Sequence, residues 1–169
     1  MNRDPCIVWY IASKIASTVS IERLEDRLLL QKIGYIIQEI LGRNLGYRFS
    51  WYSYGPYSRS LSRDLHRHDE LCLKAQVRES GEEIELVDRF AKIYATAQGV
   101  CREEPMPRIL EIIASLHMLA KNTYPPSEDP VGDLTRIKPY IRRTCAEAIY
   151  RVLIDNRIIA PSKGGDNST

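Results

Sequence analysis

The chain has 169 residues, of which 44% are hydrophobic and 27% are charged, and its net charge at pH 7 is +2. These values are typical of a folded globular protein and exclude a disordered or fibrous chain. The most apolar run, residues 28–41, contains four polar side chains, so a transmembrane helix is not expected. No signal-peptide cleavage site follows the N-terminus. We therefore expect a cytoplasmic protein with no membrane partner.

Helix start signals divide the first half of the chain. Asp4 followed by Pro5 predicts one start, because aspartate accepts a hydrogen bond from the first turn and proline has its φ angle already set. Ser20 is the expected cap of a second helix, which keeps a 3.6-residue apolar period up to Gly42, a typical left-handed C-cap. Ser58 is the expected cap of a short third helix.

Two further segments in this half have extended character. Alternation from Arg48 to Ser53 predicts a short extended segment, and Gly55 with Pro56 then predicts a turn. Residues 71–87 alternate apolar and polar side chains around a central glycine. This pattern favours a β-hairpin, with a continued helix as the alternative.

The second half of the chain is a series of predicted helices. Pro105 and Pro107 open a long one, and Asp129 with Pro130 repeats the aspartate–proline start. The predicted helical ranges are 88–98, 108–121, 130–138 and 142–156. Amphipathic helices joined by short loops indicate a mainly α protein, a compact multi-helix domain with a minor β-hairpin.

The domain organisation follows from the positions of the loops. We expect a single helical domain over residues 1–161, with lobes at about 1–99 and 105–161. Residues 162–169 are small and polar, which predicts a disordered tail.

The four cysteines, Cys6, Cys72, Cys101 and Cys145, are far apart in sequence. A zinc site normally takes two ligands from one tight turn, and no pair here has that spacing. Buried free thiols are the expected state in a reducing compartment. Disulfides are the alternative, because intracellular proteins of heat-adapted organisms do use them.

Short catalytic motifs are absent from the sequence. It contains no phosphate-binding loop, dinucleotide-binding glycine pattern, nucleophile elbow or paired-histidine zinc motif. His66 and His68 point in different directions on a helix, and His68 with Cys72 would supply only two metal ligands. His117, in an apolar helix, is expected to be a buried histidine. We therefore expect no enzyme activity, no catalytic residues, no metal site and no cofactor.

Charge is unevenly distributed along the chain. Seven basic and two acidic residues lie in 27–68, and 134–163 has the same numbers, whereas 69–90 has seven acidic and three basic residues. Basic segments can bind phosphate backbones through counterion release. An ordinary solvated surface is the first expectation, and nucleic-acid binding is the alternative.

Aromatic residues concentrate between positions 47 and 57. Four of the ten tyrosines lie there, at Tyr47, Tyr52, Tyr54 and Tyr57. Tyrosine combines a flat apolar ring with a polar tip, so it suits both a partly buried turn and an interface. Packing is the first expectation, and a surface for a ligand or partner is the alternative.

Two blocks of sequence resemble the YwgA-like proteins. The first block consists of Leu30-Gln31-Lys32-Ile33-Gly34-Tyr35, then Phe49 with Tyr52, Tyr54-Gly55-Pro56-Tyr57-Ser58, Leu61 and Asp64-Leu65. The second consists of residues 110–117 with Ile137-Lys138-Pro139-Tyr140. The first block is also similar to the wider Panacea antitoxin superfamily. Gly34 departs from the pattern, in which a larger apolar residue is usual.

The resemblance implies a largely helical domain with no known catalytic residues. Panacea domains neutralise toxin proteins by direct binding, so it also implies antitoxin-like or adaptor activity through protein–protein contact. In the first block, Tyr52 and Tyr54 would brace the turn against the second helix. Gln31 and Lys32 would lie beside the turn, either on a recognition surface or as packing residues only.

The last three predicted helices resemble a winged-helix arrangement, so a winged-helix-like C-terminal half is also considered. Its third helix would be the DNA-reading element and carries Arg142, Arg143 and Arg151. Arg63 and Arg67 would extend this alternative nucleic-acid site.

The sequence therefore favours a regulatory protein that binds another protein. The candidate contact residues are Tyr52, Tyr54, Gly55, Tyr57 and Arg59. A DNA-binding regulator is the alternative.

Overall fold

The computed structural model describes residues 3–16, 18–72 and 81–161. These residues are mainly helical with a two-stranded antiparallel sheet, so the expected mainly α fold with a minor hairpin is confirmed. The helices are α1 (Pro5–Ile15), α2 (Leu24–Tyr35), α3 (Arg59–His66), α4 (His68–Cys72), α5 (Gly81–Val100), α6 (Met106–His117), α7 (Pro130–Ile137) and α8 (Arg143–Asp155). The strands are β1 (Ser50–Tyr52) and β2 (Gly55–Tyr57).

The chain divides into two units, Met1–Ala95 and Thr96–Thr169. In the first unit, α1 packs against α2, α3 and α4, and the hairpin packs against α2 through β2. The core of this unit is formed by buried aliphatic side chains that include Ile7, Val8, Ile11, Leu30, Ile33, Ile37, Leu61 and Leu65. The predicted tail, residues 162–169, lies outside the described part of the chain.

Three predicted helix starts are confirmed by their capping hydrogen bonds. The caps accept from backbone N–H groups three residues later: Asp4 from Ile7 (3.3 Å), Ser58 from Leu61 (3.2 Å) and Asp129 from Gly132 (3.0 Å). Each cap satisfies one of the N–H groups that a helix leaves without an internal partner.

The predicted start at Ser20 is wrong. The Ser20 hydroxyl accepts a hydrogen bond from Glu22, and α2 begins at Leu24. The Asp26 carboxylate accepts from the Ser20 N–H and from the Arg23 guanidinium, both at 2.8 Å. These bonds fix a separate turn before the helix.

The far end of α2 turns the chain towards the hairpin. A π-helical segment, Ile36–Ile40, continues α2, and Gly42 then has φ +80°, as expected for a left-handed C-cap. Gln38 of this segment accepts a hydrogen bond from the Tyr47 N–H at 3.0 Å and donates one to the Tyr47 carbonyl at 2.7 Å. This side chain therefore positions the segment that leads into β1.

Gly34 of α2 lies against Leu61 of α3. A Cβ atom at this position would be 2.7 Å from Cδ2 of Leu61, with Phe49 and Val8 also in contact range. Leu61 is fully buried, so its side chain has little room to move. A side chain larger than that of glycine at this position would therefore clash with the core.

The hairpin reverses direction at Ser53 and Tyr54. Tyr52 pairs with Gly55, and Trp51 pairs with Pro56, so the glycine and proline predicted to form a turn belong to β2 instead. Gly55 has φ +93°, a conformation that favours glycine. The turn is therefore two residues earlier in the chain than the sequence predicted.

The predicted hairpin over 71–87 is wrong for the residues that the structure describes. Leu71 belongs to α4, and both Ile84 and Leu86 belong to α5. Residues 73–80 lie outside the described part. The helix predicted over 88–98 is part of α5, which is longer than predicted and continues through Gly99.

In the second unit, α6 packs against α7 and α8 around a core of aliphatic side chains. Buried within it, the Glu111 carboxylate accepts a hydrogen bond from the Tyr140 hydroxyl at 2.7 Å and lies 3.3 Å from the Lys138 ammonium. Burial is the main cause that lowers the pKa of Lys138, and Glu111 opposes this shift. This cluster joins α6 to the segment between α7 and α8.

The described residues after α8 form turns and contain no strand, so no wing follows this helix there. Arg157 has φ +58°, and the Ile159 N–H donates to the Leu153 carbonyl at 3.3 Å. The chain therefore folds back after α8, and Ile159 is buried.

The expectation of free thiols is wrong. Cys6 and Cys72 form one disulfide, and Cys101 and Cys145 form another, with Cα–Cα distances of 5.5 and 5.4 Å. Helix packing brings together residues that are 66 and 44 positions apart in sequence. The first bond ties α1 to the end of α4, and the second ties the segment after α5 to the first turn of α8.

Candidate functional site

Two buried side chains of α2 form hydrogen bonds to the backbone of the hairpin and of Ser58, which follows it. The Gln31 amide donates to the Ser58 carbonyl at 2.9 Å and accepts from the Ser58 N–H at 2.8 Å. The Lys32 ammonium donates to the Pro56 carbonyl at 2.8 Å. Gln31 and Lys32 are only 1% and 2% exposed, so they do not lie on a recognition surface. Their role in this motif is to bind the backbone of the hairpin and of the helix start.

A second buried contact holds the other side of the hairpin. The Tyr47 hydroxyl donates to the Asp64 carboxylate of α3 at 2.8 Å, and the Arg3 guanidinium lies 3.2 Å from the same oxygen. Burial, followed by the hydrogen bond to Asp64, raises the pKa of Tyr47 above its usual range. The segment before β1 is thereby fixed to α3.

The aromatic tip of the hairpin faces solvent. Tyr54 is 50% exposed and Tyr52 is 38% exposed, so they do not brace the turn against α2 as the sequence predicted. The Tyr52 ring lies 5.2 Å from the half-buried Tyr57 ring, which places both tyrosines on one face of the sheet. Gly55 is buried and contributes backbone geometry only. The aromatic segment thus divides into an anchored part and an exposed part.

Arg59 follows this face directly. Only Ser58 separates β2 from α3, so the Arg59 Cα lies within about 7 Å of the Tyr57 Cα. Arg63, one turn further along α3, lies on the same side of the helix, and both arginines are exposed. We call Tyr52, Tyr54, Tyr57 and Arg59 the hairpin surface.

Most residues of the alternative nucleic-acid site are engaged in ion pairs. Arg142 lies beside Glu103 and Glu104, and its pKa is raised by these hydrogen bonds, whereas Arg143 pairs with Glu147 at 2.9 Å. Among the remaining residues of this set, Arg67 pairs with Glu70, and Arg63 and Arg151 are exposed. Arg63 and Arg67 belong to the first unit, whereas Arg142, Arg143 and Arg151 belong to the second.

The histidines and cysteines do not form a metal centre within the part of the chain that the structure describes. Cys72 is in a disulfide, the His66 ring bonds the Ser62 carbonyl at 2.8 Å, and the His68 ring packs 4.4 Å from that of Trp9. His117 is buried as expected, and burial lowers its pKa to about 4.

Sequence reasoning did not assign Arg48 to this site. It lies just before β1 and is exposed. The available signal was the absence of acidic residues between Glu39 and Asp64, a stretch that contains Arg43, Arg48, Arg59 and Arg63.

No protein-family model, curated protein or solved structure matches this chain. The resemblance to the YwgA-like and Panacea proteins therefore stays a prediction. No helix among the described residues is long and apolar enough to cross a membrane.

Proposed function

We propose that this protein is a non-enzymatic regulator that binds a protein partner through its hairpin surface. The observation that carries the proposal is the division of the first sequence block into two parts. Gln31 and Lys32 are buried and form hydrogen bonds to the backbone of Ser58 and Pro56, whereas Tyr52 and Tyr54 are exposed to solvent on the same hairpin. An anchored backbone that presents exposed tyrosines resembles the rigid aromatic contacts of protein interfaces.

Pre-organisation supports this function. A loop that must become ordered on binding loses conformational entropy, which reduces affinity. Here the backbone on both sides of the tip is already held, by Lys32 at Pro56 and by Gln38 at Tyr47. Tyrosine adds contact area with few rotatable bonds. A partner would therefore meet a surface that is largely in its bound form.

The proposal is tested by selecting partners from a displayed library of genomic fragments. We expect Tyr52→Ala with Tyr54→Ala to abolish binding of the selected partner without a change in thermal unfolding. Tyr124→Ala is the matched control, because this tyrosine is fully exposed in the other unit. A partner that binds both variants equally well would overturn the assignment.

The nucleic-acid alternative is tested by fluorescence anisotropy with duplex DNA at two salt concentrations. If it were right, affinity would be high and would fall steeply with salt, and Arg151→Ala would flatten that slope. Because Arg142 and Arg143 already have carboxylate partners, we expect only weak binding.

A further inference from the structure

Three arginines around the hairpin differ from the other arginines of their unit. Arg48, Arg59 and Arg63 have no hydrogen-bond or ion-pair partner among the described residues. The other described arginines of the first unit, each bonded to a carboxylate or a backbone carbonyl, are Arg3, Arg23, Arg27, Arg43, Arg67 and Arg89. Among the described arginines of the first unit, those without partners are therefore concentrated at the hairpin.

The arrangement on α3 is unfavourable in the free protein. Arg59 and Arg63 are four residues apart, and like charges at this spacing repel each other. The acidic residue nearest to them in sequence, Asp64, is buried and already bonded to Tyr47 and Arg3. No carboxylate among the described residues forms an ion pair with Arg59 or Arg63.

We infer that the partner of the hairpin surface is an acidic protein segment, whose carboxylates pair with Arg59 and Arg63 while its apolar side chains pack on Tyr52 and Tyr54. This inference rests on the proposed function and adds the chemistry of the partner. The arginine fork matches a carboxylate in two-bond geometry, so two carboxylates about one helical turn apart can engage both side chains. Arg48 adds positive charge on the side of the chain that leads into β1.

The small number of arginines around the hairpin favours a protein segment over a nucleic acid as the partner. Three arginine–phosphate contacts would give a slope of only about −2 in log K against log salt for a single strand. With such a small electrostatic contribution, a nucleic acid would bind only weakly at physiological salt. Tyrosine and arginine together are, by contrast, enriched in the centres of protein interfaces.

The test is a selection of random 15-residue displayed peptides on the full chain. We expect enrichment of sequences that combine Asp or Glu with an apolar residue. For a synthetic peptide of the enriched sequence, Arg59→Glu with Arg63→Glu should raise the Kd about tenfold or more. The matched control is Arg102→Glu with Arg151→Glu, which reverses two exposed arginines of the second unit and should leave the Kd unchanged.

Three other results would each overturn the inference and have different meanings. Neutral or basic peptides whose binding is lost with Tyr52→Ala and Tyr54→Ala would refute the acidic partner but leave the proposed function in place. Absence of any peptide that depends on these tyrosines would count against both. Tighter binding of a 12-residue oligothymidylate, sensitive to Arg59→Glu with Arg63→Glu, would assign the surface to single-stranded nucleic acid.

Discussion

Gln31 bonds both backbone groups of Ser58 with its single side-chain amide, at 2.9 Å to the carbonyl and 2.8 Å from the N–H. Ser58 is in turn the N-cap of α3. One glutamine therefore fixes the end of the hairpin and the start of the following helix. Because all of these atoms are buried, water cannot replace the bonds if the amide is lost.

We expect Gln31→Met to lower the free energy of unfolding by about 2 to 4 kcal/mol, because it leaves two buried backbone groups unsatisfied. Urea denaturation followed by circular dichroism measures this loss. Gln98→Met, at an exposed position, is the control and should change stability by less than about 0.5 kcal/mol. A small effect of both substitutions would show that Ser58 finds other partners.

Steric contact between α2 and α3 gives a second prediction. Gly34→Leu should destabilise the protein by about 3 kcal/mol, because even a Cβ at this position meets Leu61. Leu61→Ala alone should also destabilise it, by leaving a cavity. Combined, the two substitutions should cost clearly less than the sum of their separate effects. Strict additivity in this double-mutant cycle would contradict the contact.

The success of the sequence predictions depended on how far each signal extends along the chain. Asp4, Ser58 and Asp129 cap helices through N–H groups only three residues away, so a local rule was sufficient. The hairpin depended instead on distant side chains. Pro56 lies in β2, and the Lys32 ammonium, 24 residues earlier in sequence, donates a hydrogen bond to the Pro56 carbonyl. Turn propensity carries no information about such a bond.

The same limit applies to the disulfides and to the candidate site. Cys6 and Cys72 meet only because α1 packs against α4, which sequence spacing does not show. The tyrosines of the hairpin surface were identified from their density in sequence. Their exposure was not predictable, because the alternation of β1 leaves open which face is covered.

Reduction of the disulfides should destabilise the protein strongly. In the chain-entropy model, links across 66 and 44 residues each contribute about 4 kcal/mol by restricting the unfolded state. We expect dithiothreitol to lower the urea midpoint, and Cys101→Ser with Cys145→Ser to reproduce part of the effect. Denatured, unreduced protein should contain no titratable thiols, and four thiols per chain would refute both bonds.

The burial of His117 makes stability dependent on pH. Its pKa of about 4 in the folded protein lies below the ordinary value of 6.5, first because of burial and then because of Lys121. The unfolded chain therefore binds a proton that the folded chain does not between these two values, so stability falls as the pH decreases from about 6.5 to about 4. The His117 contribution is about 3 kcal/mol over this window.

Comparison of wild type with His117→Gln isolates this contribution, because glutamine does not titrate. Urea denaturation at several pH values between 4 and 7 should show a shallower decline for this variant. His66→Gln, at an exposed histidine, is the control and should retain the full decline. Parallel curves for wild type and His117→Gln would mean that other groups cause the acid sensitivity.

The hydrogen bonds from α2 to the hairpin and to Ser58 do not depend on which side chains the hairpin carries. Lys32 and Gln31 bond main-chain atoms of Pro56 and Ser58, and the Ser53–Tyr54 tip takes no part in these bonds. Residues at the tip can therefore be exchanged while the support beneath them stays intact. Such a scaffold permits rapid divergence of specificity between related chains, and it offers a site at which foreign recognition loops can be grafted.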